Sequence, residues 1–322
     1  MLSFNYNPKV SKLERLDFLD ELAGLLILSV ILGHAIGFAG LTVCNRFNPI
    51  IFFMFWFYFK SGMFYRPKER EKIAIGGAKK LLLTFVVYSF IGYVVDCLGK
   101  YISGDREWEH YILVPIKDLL LRGSISGNLP LWFLFSLYCV QVIFNELYIR
   151  QFRPIYIFYG GLLLASLAYN LGLKYPYYLS TVSLGLAAYS FGYTFREWQY
   201  TKKCLFISSA LYLVIFILYP SFIDFRDNSL NDGGNYMLAV VFSLSGCIVF
   251  NNIFRKLPNC IFLQFIGKNA MEYYVIHWII LNICYVLCSK FLHWQGISSY
   301  CLMVFLSVLI PTMFIKIKSK TK

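Results

Sequence analysis

Ten stretches of mainly apolar residues recur along this chain of 322 residues, at about 21–39, 47–65, 81–98, 129–149, 155–171, 177–195, 204–222, 236–253, 270–289 and 297–315. As helices, runs of about 17–22 residues rise ~30 Å, the thickness of a hydrocarbon core. Pro115, Pro130, Pro154, Pro176, Pro220 and Pro258 fall at the edges of these runs or between them, as helix boundaries should. With 58% hydrophobic residues, 15% charged residues and a mean hydropathy of +0.60, the chain is too apolar for a soluble domain of this size. The sequence therefore predicts an all-α polytopic membrane protein with ten transmembrane helices, forming a single domain over residues 1–322. No repeat, low-complexity segment or soluble domain interrupts the pattern.

The charged residues set the orientation. Of 30 Lys and Arg residues, 22 fall in the N-terminal tail, the 2–3, 4–5, 6–7 and 8–9 loops and the C-terminal tail, and 8 fall on the other side. The positive-inside rule then puts both termini in the cytoplasm, and an odd number of spans would scramble the alternation. The formal charge of +13 thus mostly encodes topology, with membrane lipids as partners and no nucleic acid. Lys9, Lys12, Glu14, Arg15 and Asp17 precede the first span without an apolar core or a small-residue cleavage site, so that span is expected to be an uncleaved anchor. The nine cysteines (44, 97, 139, 204, 247, 260, 284, 288 and 301) show no CxxC and no His/Cys metal spacing. Most behave as small hydrophobes, and no metal is expected.

Inside the first run, Leu22 to Phe38, His34 and Ser29 are the only polar side chains. An intramembrane imidazole is costly unless something satisfies or uses it. His34 lies roughly 21 Å above Asp20, past the midplane, and His277 roughly 14 Å above Lys268, counting 1.5 Å per residue. Neutral imidazole can take a proton from a hydroxyl. It can equally serve helix packing, bonded to a neighbouring serine or a backbone carbonyl. The 2–3 loop carries Lys60, Arg66, Lys68, Arg70, Lys72, Lys79 and Lys80. Such a cluster suits the phosphates of a nucleotide-like donor, and also plain topology and lipid headgroups. Trp132 opens the fourth span near the outer surface, where tryptophan is often an interfacial anchor.

Taken together, these residues resemble the acyltransferase 3 family of bacterial membrane acyltransferases. The resemblance rests on Asp20, Gly24 and Gly33-His34 in the first span, on the aromatic Phe52–Phe59 stretch leading into Ser61-Gly62, on Leu131-Trp132-Phe133-Leu134, and on Ile266-Gly267-Lys268-Asn269 followed by Tyr274 and His277. It runs from residue 15 to about residue 280 and is carried by the order and spacing of the motifs. The resemblance implies O-acyl transfer, with acetyl the expected group, from cytoplasmic acyl-CoA to a hydroxyl of a surface or lipid-linked glycan. It implies an enzyme of the cell (inner) membrane that uses acyl-CoA as co-substrate and has no bound cofactor; a homo-oligomer is left open. By position, His34 matches the catalytic histidine, Ser61 and Gly62 the turn ending the second span, and Trp132 the tryptophan of the fourth. His277 matches a recurrent histidine with a less defined role. Arg66, Arg70, Lys79 and Lys80 match the basic acyl-CoA-binding loop in character.

One position departs from the family's pattern. An Arg or Lys is expected eleven residues before the histidine, on the same helical face, and here that residue is Ala23. Lys60, at the level of Ala23 on the descending second span, is the candidate substitute; the alternative is that it snorkels to the inner headgroups. The long outer 3–4 loop, residues 99–128, holds Asp105, Glu107 and Trp108, with Tyr101, Glu109, His110, Tyr111 and Asp118. It suits a sugar acceptor or a solvated interfacial helix. The 7–8 loop has a similar polar character through Asp224, Asp227, Asn228, Asn231 and Asp232. Two other readings remain open at this point: a non-catalytic acyltransferase-like subunit or a glycan or lipid transporter, and acyl transfer to protein or peptidoglycan.

Overall fold

The computed structural model describes residues 16–42, 48–173, 176–219, 222–230 and 234–320. Lys9, Lys12, Glu14, Arg15, Cys44, Arg46, Lys174, Pro220, Asn231, Asp232 and Lys322, used in the sequence reading, lie outside these residues. The chain is built from helices α1 (Asp17–Phe38), α2 (Phe53–Met63), α3 (Arg70–Gly77), α4 (Leu83–Ile102), α5 (Trp108–Tyr111), α6 (Leu113–Arg122), α7 (Trp132–Ile149), α8 (Pro154–Asn170), α9 (Tyr177–Phe195), α10 (Lys202–Leu218), α11 (Tyr236–Phe254), α12 (Ile261–Lys268), α13 (Ala270–Val286) and α14 (Ile297–Lys320). Two short strands, β1 (Ile223–Asp224) and β2 (Ser229–Leu230), pair antiparallel as a hairpin between α10 and α11. A π-helical turn over Ala78–Leu82 joins α3 to α4.

Six helical stretches among the described residues are long and apolar enough to cross a membrane: Asp17–Phe38, Arg70–Ile102, Leu113–Ile149, Tyr236–Phe254, Ala270–Leu292 and Ile297–Lys320. The other four predicted spans are helical as well, but α2 has 11 residues, α8 and α10 have 17 each, and the 19 residues of α9 are rich in Ser, Thr, Tyr and Gly. The span predicted over 47–65 is shorter because its start is a turn. The Asn48 side chain accepts the N–H of Ile50 at 3.1 Å, which draws that donor away from a helical ladder. On α4, Leu83, Val86, Phe90 and Leu98 stand exposed, an apolar face suited to lipid.

Packing around α1 and α2 positions the site. Of the aromatic stretch, Phe52, Trp56, Tyr58 and Phe59 are fully buried. Their polar handles are satisfied: Trp56 Nε1 donates to Asn251 Oδ1 at 2.7 Å, and Tyr58 Oη donates to Ser136 Oγ at 2.8 Å. The short helix α12 lies against the start of α1, where glycines let the backbones touch. A Cβ at Gly24 would run into the Leu263 carbonyl, and one at Gly267 into the Asp20 carbonyl. Asn269, outside helical dihedrals at φ −114°, then separates α12 from α13. Before α7, a 3₁₀ segment over Ser126–Leu131 is pinned to α13 at three points. Asn128 Nδ2 donates to the Val275 carbonyl at 3.0 Å, Asn282 Nδ2 to the Gly127 carbonyl at 3.2 Å, and Tyr274 Oη to the Pro130 carbonyl.

Ion pairs tie one end of the bundle together. Lys268 Nζ meets Asp17 Oδ1 at 3.2 Å, Lys318 Nζ meets Glu272 Oε1 at 3.3 Å, and Lys60 Nζ meets Asp20 Oδ1 at 3.4 Å. The start of α1 and the last turns of α14 therefore lie at the same end, with the end of α2.

Candidate active site

His34 sits three turns along the apolar part of α1 and is half-buried against α13. Its ring stacks on that of His277, with centroids 5.5 Å apart and planes inclined by 18°. Trp278 meets it edge-on, at 4.9 Å and 84°. His277 is fully buried. Its Nδ1 lies 2.7 Å from the Tyr274 carbonyl and 3.2 Å from that of Tyr273. Carbonyl oxygens only accept, so Nδ1 carries the proton and Nε2 is left as a bare acceptor. Among the described residues, neither His277 Nε2 nor the Trp278 indole N–H has a hydrogen-bond partner. Buried polar atoms are seldom left unpaired, and here two of them flank one imidazole.

His34 opens on a chamber of about 440 Å³. Ser29 and Gly33 of α1, Met54 and Phe55 of α2, Trp132 of α7, and Tyr274 and Trp278 of α13 are among its walls. The hairpin side is closed by Phe222, Ile223, Asp224, Phe225 and Arg226. Ser29 Oγ is turned to its own helix and donates to the Leu25 carbonyl at 3.0 Å. A smaller cavity of about 150 Å³ lies on the Lys60 side, lined by Ile27, Phe57, Lys60, Ser61, Phe133 and Met271 together with other apolar residues. Both cavities share Val30, Met54 and Tyr274. A line of hollows thus runs from Lys60, at the end where α1 begins, to His34.

Lys60 donates to the Leu19 carbonyl at 3.2 Å and to Asp20 Oδ1 at 3.4 Å, and its ammonium lies 5.1 Å from the Trp56 ring centroid. Leu19 and Asp20 are one turn before Ala23, which is itself buried. The ammonium therefore stands about one helical turn from the position where the expected cation is absent.

The other anticipated residues are distributed as follows. Trp132 lines the His34 chamber and lies parallel to Phe225, at 6.3 Å and 17°. Ser61 lines the smaller cavity, and Gly62 lets α2 approach the Tyr189 carbonyl of α9. Arg66, Lys79 and Lys80 are exposed, the lysines on the π-helical turn. Arg70 is paired with Glu146, Nε to Oε2 at 2.8 Å. Asp105, Glu107 and Trp108 do not line the His34 chamber. Asp105 and Glu107 instead hold His110 from both sides, at 2.7 and 3.2 Å, and Asp105 borders a separate groove between α4 and α13.

Sequence reasoning passed over two parts of the chamber. Trp278 follows His277 directly and drew no notice. Asp224 and its neighbours were credited only with polar character, although Ile223 and Phe225 alternate with Asp224 and Arg226. That alternation is the signal of a loop folding one face into the bundle.

A family model described as an acyltransferase domain matches residues 16–316, nearly the whole chain. The chain belongs to the acyltransferase 3 family. No curated protein and no solved structure matches it. Membership of the acyltransferase 3 family and the apolar helices together make this a multi-pass membrane protein of an acyltransferase family. The matched region contains both histidines, both cavities and the hairpin.

Proposed function

We propose that the protein is an integral-membrane O-acyltransferase that moves an acyl group, acetyl by expectation, from acyl-CoA to a hydroxyl of a cell-surface or lipid-linked glycan. The observation that carries this reading is the pair of cavities leading from Lys60 to His34. In this reading ten spans cross the cytoplasmic membrane and both termini are cytoplasmic. The shared end of α1 and α14 supports an even number of crossings.

The donor's phosphates rest on the basic loop, at Arg66, Arg70, Lys79 and Lys80, and its pantetheine arm rises through the smaller cavity. Lys60 supplies the cation that Ala23 lacks. At the chamber, His34 takes the proton of the attacking hydroxyl and the oxygen adds to the thioester carbonyl. The carbon–sulfur bond then breaks, and the proton passes from His34 to the departing thiolate. His277 holds the neighbouring ring from behind, fixed by its own bonds to the α13 backbone. A route through a transient acyl-histidine uses the same groups when the two substrates enter from opposite faces.

The test is transfer of radiolabelled acetyl from acetyl-CoA to membrane glycan in inside-out vesicles. Wild-type protein is expected to consume the thioester and His34→Ala to abolish that consumption. Glycan movement without thioester consumption would overturn the reading, as would full transfer by His34→Ala.

A further inference from the structure

The 223–230 hairpin is a seated part of the chamber. Phe225 is buried, stacked on Tyr58 at 5.0 Å and 10° and edge-on to Phe55 at 4.8 Å. Asn228, buried with a positive φ of 48°, donates to the Ala165 carbonyl at 2.8 Å and accepts from Tyr236 Oη at 2.7 Å. Asparagine tolerates that left-handed conformation better than most residues. The two residues flanking Phe225 line the chamber that His34 also lines.

We propose that this rim is the acceptor subsite, that Asp224 is its specificity-determining residue, and that the acceptor presents an uncharged polyol there. The inference rests on the acyltransferase reading above. Its basis is the balance of charge. Arg226 Nε lies 2.7 Å from Asp227 Oδ1, and a terminal guanidinium nitrogen lies 3.5 Å from the other carboxylate oxygen. Among the described residues Asp227 is thus one carboxylate matched to the guanidinium, and Asp224 contributes another on the chamber wall. Asp224 Oδ1 accepts the backbone N–H of Arg226 at 3.1 Å, the carboxylate also takes a backbone bond from Asp227, and its two oxygens have lone pairs beyond these.

Asp224 itself is exposed at the rim. An exposed carboxylate at the edge of a chamber can accept a sugar hydroxyl with the lone pairs it has left. An anionic sugar, such as a uronate, would instead meet, among the described residues of the hairpin, Asp224 and Arg226 on the chamber wall with Asp227 behind them, two carboxylates against one guanidinium. The acids of the 3–4 loop offer no such position, because Asp105 and Glu107 are engaged with His110.

The test uses the full-length protein in nanodiscs with acetyl-CoA, a neutral methyl hexoside and the corresponding uronoside, with free CoA as the readout. Wild-type protein is expected to favour the neutral hexoside by about tenfold or more in kcat/KM. Asp224→Asn is expected to raise the hexoside KM about tenfold while the acetyl-CoA KM moves less than about twofold, as loss of one charge-assisted bond to the acceptor implies. Asp224→Glu should recover part of the loss. Equal use of the uronoside by wild-type protein overturns the proposal even if the variants fail to fold, and so does a folded Asp224→Asn with an unchanged hexoside KM. Absence of thioester turnover in wild-type protein with every acceptor would instead sink the acyltransferase reading itself, and the inference with it.

Discussion

The ammonium of Lys60, which lines the smaller cavity, is held by a carbonyl, a carboxylate and an indole face. If it serves the donor, Lys60→Ala should raise the acyl-CoA KM about tenfold, near 1.4 kcal/mol. Adding Ala23→Arg should restore much of it, because the new guanidinium rises from α1 about one turn away. A steady-state KM for acyl-CoA decides this; an unchanged value in Lys60→Ala returns Lys60 to a role in packing. Both histidines and Lys60 were legible from the sequence because depth along a helix can be counted from its ends. Trp278 and Arg226 were not. Their nearness to His34 depends on how α13 and the hairpin pack on α1, which no local pattern encodes.

Close contact between α1 and α12 depends on Gly24 and Gly267 having no side chain. Gly267→Ala should destabilise the protein by about 1–3 kcal/mol, since a backbone carbonyl cannot move aside as a side-chain tip can. A lowered thermal midpoint in detergent would register it, and an unchanged midpoint would mean that the helices slide apart freely. The turn around α5 has a different sensitivity. Its bond to Asp105, followed by the charges of Asp105 and Glu107, raises the His110 pKa. The Glu107 backbone N–H and His110 lower that of Asp105. A raised histidine contributes stability below its unfolded value of about 6.5, and this is lost as pH climbs through the folded value. A lowered aspartate contributes above about 3.9, and this is lost as pH falls through its own folded value. The turn should therefore be tightest between about pH 4 and 6.5 and loosen in alkali, read as a change in Trp108 emission that His110→Gln removes. At this scale the sequence located helices in all ten stretches but drew α2 too long. The Asn48 turn is a side-chain-to-backbone bond, and hydropathy does not register such bonds.

For the molecule as a whole, the start of α1 and the last turns of α14 share one end, and α4 leads away from the basic loop to Ser103. Cysteines placed at Ser319 and Ser103, both exposed, should react with an impermeant maleimide from opposite faces: Ser319→Cys in inside-out vesicles and Ser103→Cys in right-side-out ones. Labelling of both from one face would overturn the proposed topology. Charge counting predicts an orientation before any coordinates, because lipid imposes a simple rule on loops, and the labelling is what decides it. The infolded hairpin escaped it, since that rule has nothing to say about a loop that turns back among the helices. The two hollows meet at Val30, Met54 and Tyr274, all of them bulky and two wholly apolar. Apolar side chains at such a junction offer water few hydrogen-bonding partners, so the neck between the two hollows is lined to stay dry.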